Sequence, residues 1–516
     1  MKKRNIYLLL GLSAIFACCD PDDGPVPPAP PTPGGSDSTI VDDGPTLPGD
    51  SIVNGNDSIV APDTTGVAML DVVIDPADDT SYTEVTEEVI TDDTHGDYGD
   101  FIENYKPANT LTITFDGEKA NVTGSVSGVM SRVNGAHVVI QSTKKNIAYV
   151  LKGSTANGSF KLNSNNKTQI TFSGVSITNP AGAAVNIQAG KTMLVKLADG
   201  TANYLEDGAS YDFNLPNGEQ QKGTFFSEGQ LVFSGNGSLE VKSNCGHGIA
   251  SDDYVRVRGG NITINSTRDG ISTSDRFIMY GGDVNITALQ DGIDVDEGYI
   301  EIGGGKLTVD VVDEGITASY EGEDDGTVDA TITPYIDIKG GLVKVTTTGD
   351  KGHGLRAMST LGMSGGIVQV TTCGDGSKAL MSEGDMSLTG GKVSAFTEGD
   401  ALYEEGDLSS SACVRSKGVL SVENMTLGVK STGTGGKGIN NVGDIVIKNS
   451  HVAVVASGET HSQNGLTSRS RGVTTDGNLT LDGGTLLVKS YDAPLHVKGV
   501  QSFLNEAVYN GYQIGE

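Results

Sequence analysis

A glycine pair followed by a short alternating strand recurs along this chain, and no other feature limits its fold so tightly. Gly259-Gly260 precedes Asn261-Ile262-Thr263-Ile264, Gly281-Gly282 precedes Asp283-Val284-Asn285-Ile286, and Gly304-Gly305 precedes Lys306-Leu307-Thr308-Val309. The same phase returns at Gly340-Gly341, Gly365-Gly366, Gly390-Gly391 and Gly483-Gly484, with degenerate forms at Asn236-Gly237, Asn424-Met425 and Asn449-Ser450. Successive starts lie 23, 22, 23, 36, 25, 25, 34, 25 and 34 residues apart, so the unit is about 22–25 residues with insertions near 317–334, 406–418 and 457–470. A fixed period of this size is the mark of stacked supersecondary units.

Each unit carries an alternating segment before the glycines, such as Val255-Arg256-Val257, another after them, such as Ile262-Thr263-Ile264, and a third at Gly248-Ile249, Gly270-Ile271, Gly292-Ile293 or Gly315-Ile316. Alternation of apolar and polar residues is the pattern of a strand with one buried face. Three such strands and their bends fill one unit, which predicts an all-β fold: a parallel β-helix, a solenoid of 22–25-residue coils. No unit holds a helix-length apolar pattern, which excludes α-solenoids and leucine-rich repeats, and a propeller blade needs more residues. Glycine or asparagine at each bend suits a backbone with φ > 0. Upstream, Thr112–Phe115, His137–Ile140, Gln169–Phe172 and Met193–Leu197 read as the first coils, with segments near 85–108 and 491–516 as candidate caps for the exposed ends.

The N-terminus has a different character. Met1-Lys2-Lys3-Arg4 and an apolar run from Ile6 to Phe16 form a signal peptide over residues 1–17, and Ile15-Phe16-Ala17-Cys18 resembles a bacterial lipobox in which Cys18 is lipidated. Asp20-Pro21-Asp22-Asp23 resembles the acidic export signal of Bacteroidota lipoproteins, implying an outer-membrane, cell-surface protein whose only membrane contact is its lipid anchor. Residues 18–68 are rich in Pro, Gly, Ser and Asp and read as a disordered tether, leaving 69–516 for the β-helix. Triplets such as Asp50-Ser51-Ile52 and Asp57-Ser58-Ile59 resemble Bacteroidota O-glycosylation sites. Beyond Cys18 and Cys19, the three cysteines Cys245, Cys373 and Cys413 are widely spaced and are expected to be buried thiols.

Charge bears on function. With 35 basic and 66 acidic residues the formal charge is −31, which argues against nucleic acid as a partner. Residues in the same phase of successive coils stack about 4.8 Å apart. Asp269, Asp291 and Glu314, with Asp313 beside the last, share one phase, and Asp252, Asp253, Asp275, Asp294, Asp296 and Glu297 fall just after the third strand. Carboxylates in such excess, with no His or Cys in metal-ligand spacing, suit Ca²⁺. The expected ligands are Asp269, Asp291, Asp294 and Asp296, with Asp252, Asp253 and Asp275 on neighbouring coils. No nucleophile elbow or dinucleotide unit accompanies them, so no catalytic or cofactor-binding residues are assigned.

Residues 197–203 (LADGTAN), 226–231 (FSEGQL), 235–239 (GNGSL), 247–253 (HGIASDD) and 291–294 (DGID) together resemble the bacterial carbohydrate-binding β-helix family, from about residue 85 onward. That resemblance implies a right-handed parallel β-helix, calcium at Asp-rich turns, a shape like that of family 9 polysaccharide lyases, and polysaccharide ligands, acidic or cellulosic. His247 stands where the family commonly has an acid. Without tryptophan, stacking on neutral glucan would fall to tyrosines such as Tyr254, Tyr280 and Tyr299, so an acidic plant-type polysaccharide is the expected ligand. The alternative is a calcium-dependent, pectate-type lyase. It needs a base near the metal, where only Arg268 and Arg276 are in phase, and arginine is a reluctant base. A structural stalk or adhesin is the third reading.

Overall fold

The computed structural model describes residues 53–54, 82–320, 322 and 327–514. The segment expected to be a signal peptide, Cys18 and nearly all of the segment expected to be a tether lie outside the described residues. The chain divides into a first unit, Met1–Asp37 with Val89–Thr273, and a second, Ser38–Glu88 with Ser274–Glu516.

In both units the strands pair in parallel with the equivalent strand of the next repeat, giving an all-β, parallel-β-helix-like architecture. In the first unit, Ser238–Ser243 pairs with Asn261–Ser266 so that Leu239 meets Ile262, and His247–Ser251 pairs with Ile271–Thr273 so that Ile249 meets Ile271. Pairing a full repeat apart puts the inward residues of all three segments in register, and Leu239, Val241, Ile249, Val255, Ile262, Ile264 and Ile271 are buried as the alternation predicts.

The edge of the first repeat is closed by antiparallel hairpins: Asn109–Asp116 with Lys119–Thr123, and Val129–Asn134 with Ala136–Ser142. Residues 96–105 do something else. Two 3₁₀ turns, Gly96–Asp100 and Ile102–Asn104, lie against the outward residues Leu194, Val232 and Tyr254, packing Ile102 and Tyr105 on them. Asp100 accepts from the Tyr254 hydroxyl at 2.6 Å and from Arg256 at 3.0 Å, and Asp97 approaches Arg256 at 3.5 Å. Tyr254 is therefore buried, which removes it from the expected sugar-stacking residues.

In the second unit, Tyr299–Val311 pairs with both Ile336–Ile338 and Leu342–Thr347, and the pattern continues to Gln501–Leu504 and Val508–Gln513. A third row runs from Ile293–Val295 through Ile316–Ala318, Leu355–Ala357, Lys378–Ser382, Ala412–Ser416, Lys437–Asn441 and Val473–Thr475 to Leu495–Val497. The bends have the expected conformation: φ is +82° at Gly305, +84° at Gly341 and +81° at Gly366, and asparagine takes the same role at Asn424 (+51°) and Asn449 (+46°). Other glycines serve close approach. A Cβ on Gly399 would lie 1.8 Å from the Gly374 carbonyl oxygen, and one on Gly433 1.9 Å from that of Gly399.

Two of the three insertions form the same device 59 residues apart. Leu402–Glu404 with Asp407–Ser409, and His461–Gln463 with Leu466–Ser468, are two-residue hairpins turning through Glu405-Gly406 and Asn464-Gly465, all four residues at positive φ. Each supplies a serine to a buried lysine: Lys378 Nζ donates to Ser409 Oγ at 2.7 Å, and Lys437 Nζ to Ser468 Oγ at 3.2 Å. Cys373 and Cys413 are free thiols, Cys413 buried and Cys373 half-buried.

Candidate functional site

The acidic residues singled out in the sequence divide between the units. In the first, Asp269 is buried and its Oδ2 lies 3.0 Å from His247 Nδ1 on the preceding repeat. Asp252 lies 3.4 Å from Lys222 Nζ, and Asp253 accepts from the Gln230 amide. A lysine thus reaches the carboxylate row, contrary to the phase argument: Lys222 stands in the irregular stretch before Gly223–Ser227, where no period could be read. Nearby, burial and the charge of Asp252 push Glu228 above the usual carboxylate range.

In the second unit the third row carries the site. One of its bends brings a carboxylate onto the backbone of the next repeat: Asp291 Oδ1 accepts from the Glu314 N–H at 2.9 Å, while the Gly292 N–H donates to the Glu314 carbonyl oxygen at 2.9 Å. Gly292 must be glycine, because a Cβ would lie 2.4 Å from the Gly315 carbonyl oxygen. The bend holds oxygens of Asp291, Asp313 and Glu314 within 4.8 Å of one another, with Asp291 7% exposed and the other two half-buried. Three carboxylates in so small a space repel one another unless a cation or protons intervene. Their hard oxygens, partial burial and lack of sulfur or imidazole suit a calcium ion, whose remaining positions backbone oxygens and water can fill. Arg356 stands beside the group, its Nη1 3.9 Å from Glu314 Oε1.

Of the seven sequence candidates, Asp291 belongs to this three-residue group. Asp313 and Glu314, which complete it, were noted in phase but not chosen. The signal for them was their position one repeat after Asp291, and what hid them was the change from Asp-Gly-Ile to Glu-Gly-Ile. Asp294 lies on the same strand row, half-buried and opposite Thr317, whereas Asp296 is exposed on the turn that follows. Asp275 contributes backbone: its carbonyl oxygen accepts from Tyr299 N–H at 3.2 Å and leaves no room for a side chain at Gly298.

Known proteins place this chain. A curated carbohydrate-binding domain-containing protein of Acetivibrio thermocellus is 29% identical over 158 residues, 30% of this chain and 52% of the relative, so the match spans about half the relative's length. A solved polysaccharide lyase-like protein from C. thermocellum, a gadolinium derivative, aligns at 27% identity over 46% of this chain and 94% of its own, with a TM-score of 0.37. The profile of the carbohydrate-binding domain-containing proteins matches residues 134–401 and 348–505, together well over half of the sequence. The chain belongs to the carbohydrate-binding domain-containing protein family.

Proposed function

We propose that this protein is a calcium-stabilised, cell-surface carbohydrate-binding protein that takes an acidic polysaccharide, on a right-handed parallel β-helix. The observation that carries the reading is the meeting of Asp291, Asp313 and Glu314 oxygens within 4.8 Å on one bend. A divalent cation there offsets their repulsion and keeps coordination positions for a uronate carboxylate, an anion that a surface of charge −31 would otherwise repel. Surface placement through Cys18 and the tether rests on the sequence pattern alone, and a Cys18→Ser variant that still fractionates with membranes would overturn it.

The test is incubation of the chain with polygalacturonate in calcium and in chelator, reading both the sedimented complex and the ultraviolet absorbance of unsaturated product. Calcium-dependent sedimentation without product supports a binding module. Product instead indicates the lyase reading. Neither result leaves a structural stalk.

A further inference from the structure

A second polar and aromatic cluster occupies the outward face of another sheet row in the second unit, on strands Arg276–Ala288, Tyr299–Val311 and Ile336–Ile338. Tyr299 and Tyr335 stack with ring centroids 4.7 Å apart and planes 3° from parallel, although 36 residues separate them in the chain. With faces about 3.5 Å apart at van der Waals contact, that centroid distance needs an offset of about 3 Å. The rings therefore lie like shingles, and the Arg276 guanidinium sits over the ring of Tyr299, its Cζ 5.9 Å from the centroid. Arg276 Nη1 donates to the Tyr299 hydroxyl at 3.2 Å, fixing the upper end of the stack.

Beside the rings, Glu301 pairs in register with Asp337, and Asp337 with Gly362. Glu301 accepts from the Tyr280 hydroxyl and from Lys339 Nζ at 2.6 Å, while the Tyr280 ring covers Gly303, where any Cβ would strike it. Asp337 lies farther from Lys339, at 3.7 Å. Below it the row steps down to a bare backbone. A Cβ on Gly362 would meet Asp337 Oδ1 at 3.0 Å, so the glycine leaves a shallow floor walled by that carboxylate and, two residues earlier on the preceding repeat, by Tyr335, with Ser387 in register on the following repeat. Burial and surrounding acids push Tyr335 up to about 12, so its hydroxyl stays a neutral donor.

We infer that the Gly362 floor, the Asp337 carboxylate and the Tyr299–Tyr335 stack form a second saccharide subsite that takes a neutral pyranose without calcium. An ionised carboxylate only accepts hydrogen bonds, so its natural partners are sugar hydroxyls, whereas a uronate there would meet like charge. The exposed parts of the rings suit the C–H face of a pyranose, and Lys339 and the phenols supply donors to its oxygens. The inference rests on the carbohydrate-binding reading but not on its acidic ligand or its metal.

The intact chain is titrated calorimetrically in chelator with neutral gluco-, xylo-, manno- and galacto-oligosaccharides of six units. At least one should bind. Gly362→Gln, which fills the floor from an outward strand position, and Tyr335→Ala should each weaken that binding roughly tenfold or more. Tyr335→Phe should retain most of it, and calcium-dependent sedimentation with polygalacturonate should be unchanged in Gly362→Gln. Binding by no neutral oligosaccharide, or equal affinity in a Gly362→Gln variant with native circular dichroism, overturns the subsite. Loss of polygalacturonate binding alone, with neutral binding intact, overturns the acidic-ligand reading and supports the subsite.

Discussion

Replacing Asp291 by asparagine should have opposite effects on stability with and without calcium. The amide is nearly isosteric and keeps an oxygen to accept the Glu314 N–H, so the bend is preserved while one charge is removed. Two unit charges about 4.8 Å apart repel by about 1 kcal/mol at the dielectric constant of water and about 3.5 kcal/mol at an effective value of 20. Asp291 faces both Asp313 and Glu314, so in chelator the variant should gain on the order of 1–3 kcal/mol after relaxation and partial protonation. In calcium at a hundred times its dissociation constant the wild type should gain about 2.7 kcal/mol, and the variant much less. At about 2–4 °C per kcal/mol for a unit of this size, the wild type should melt about 5–10 °C higher in calcium than in chelator. Scanning calorimetry of both proteins in both buffers reads all four values. An unchanged calcium shift in Asp291→Asn, or a variant less stable than wild type in chelator, would refute the reasoning.

Other expectations follow from the same geometry. Asp100→Ala strips Arg256 and Tyr254 of a buried carboxylate partner and should cost about 3–5 kcal/mol in urea unfolding. Gly399→Ala drives a methyl group into the Gly374 carbonyl and should cost more than about 3 kcal/mol or abolish soluble expression. Glu405→Asn gives the first hairpin the Asn-Gly turn of its twin, so slower hydrogen exchange there, by about 0.5–1 kcal/mol, is the expected result. Burial, aided by the nearby charge of Lys378, holds His353 well below the usual histidine value, and its Nδ1 accepts from the Lys378 N–H. The unfolded state therefore binds the extra proton. The stability His353 contributes is complete above about pH 6.5 and is lost as pH falls below it, by up to about 1.4 kcal/mol per pH unit. A His353→Gln variant should show a correspondingly flatter dependence of unfolding free energy between pH 7 and 5.

The candidate site was partly legible. Phase correctly gathered acids onto the bends of the third row, because residues one repeat apart must stack when parallel strands pair in register. It could not select among them. Which carboxylates share one point depends on how each bend turns its side chains, and Asp291 meets Asp313 and Glu314 on the next repeat, whereas Asp296 faces solvent on a turn. Lys222 was missed because it follows an irregular loop, and Tyr254 was misjudged because the covering segment at 96–105 comes from about 150 residues earlier in the chain.

The sequence by itself determined the strands, their inward faces and their bends. Alternation with period two is a local consequence of the pleat, and Gly305, Gly341, Asn424 and Asn449 announce a positive φ that few residues tolerate. Only the tertiary structure decided which distant side chains became neighbours. Tyr335 reaches Tyr299 across an insertion, two hairpins lay serines on Lys378 and Lys437, and a bare Gly362 opens beside Asp337. Those contacts run between repeats and insertions, where distance in space is set by hydrogen-bond register and loop closure rather than by separation along the chain.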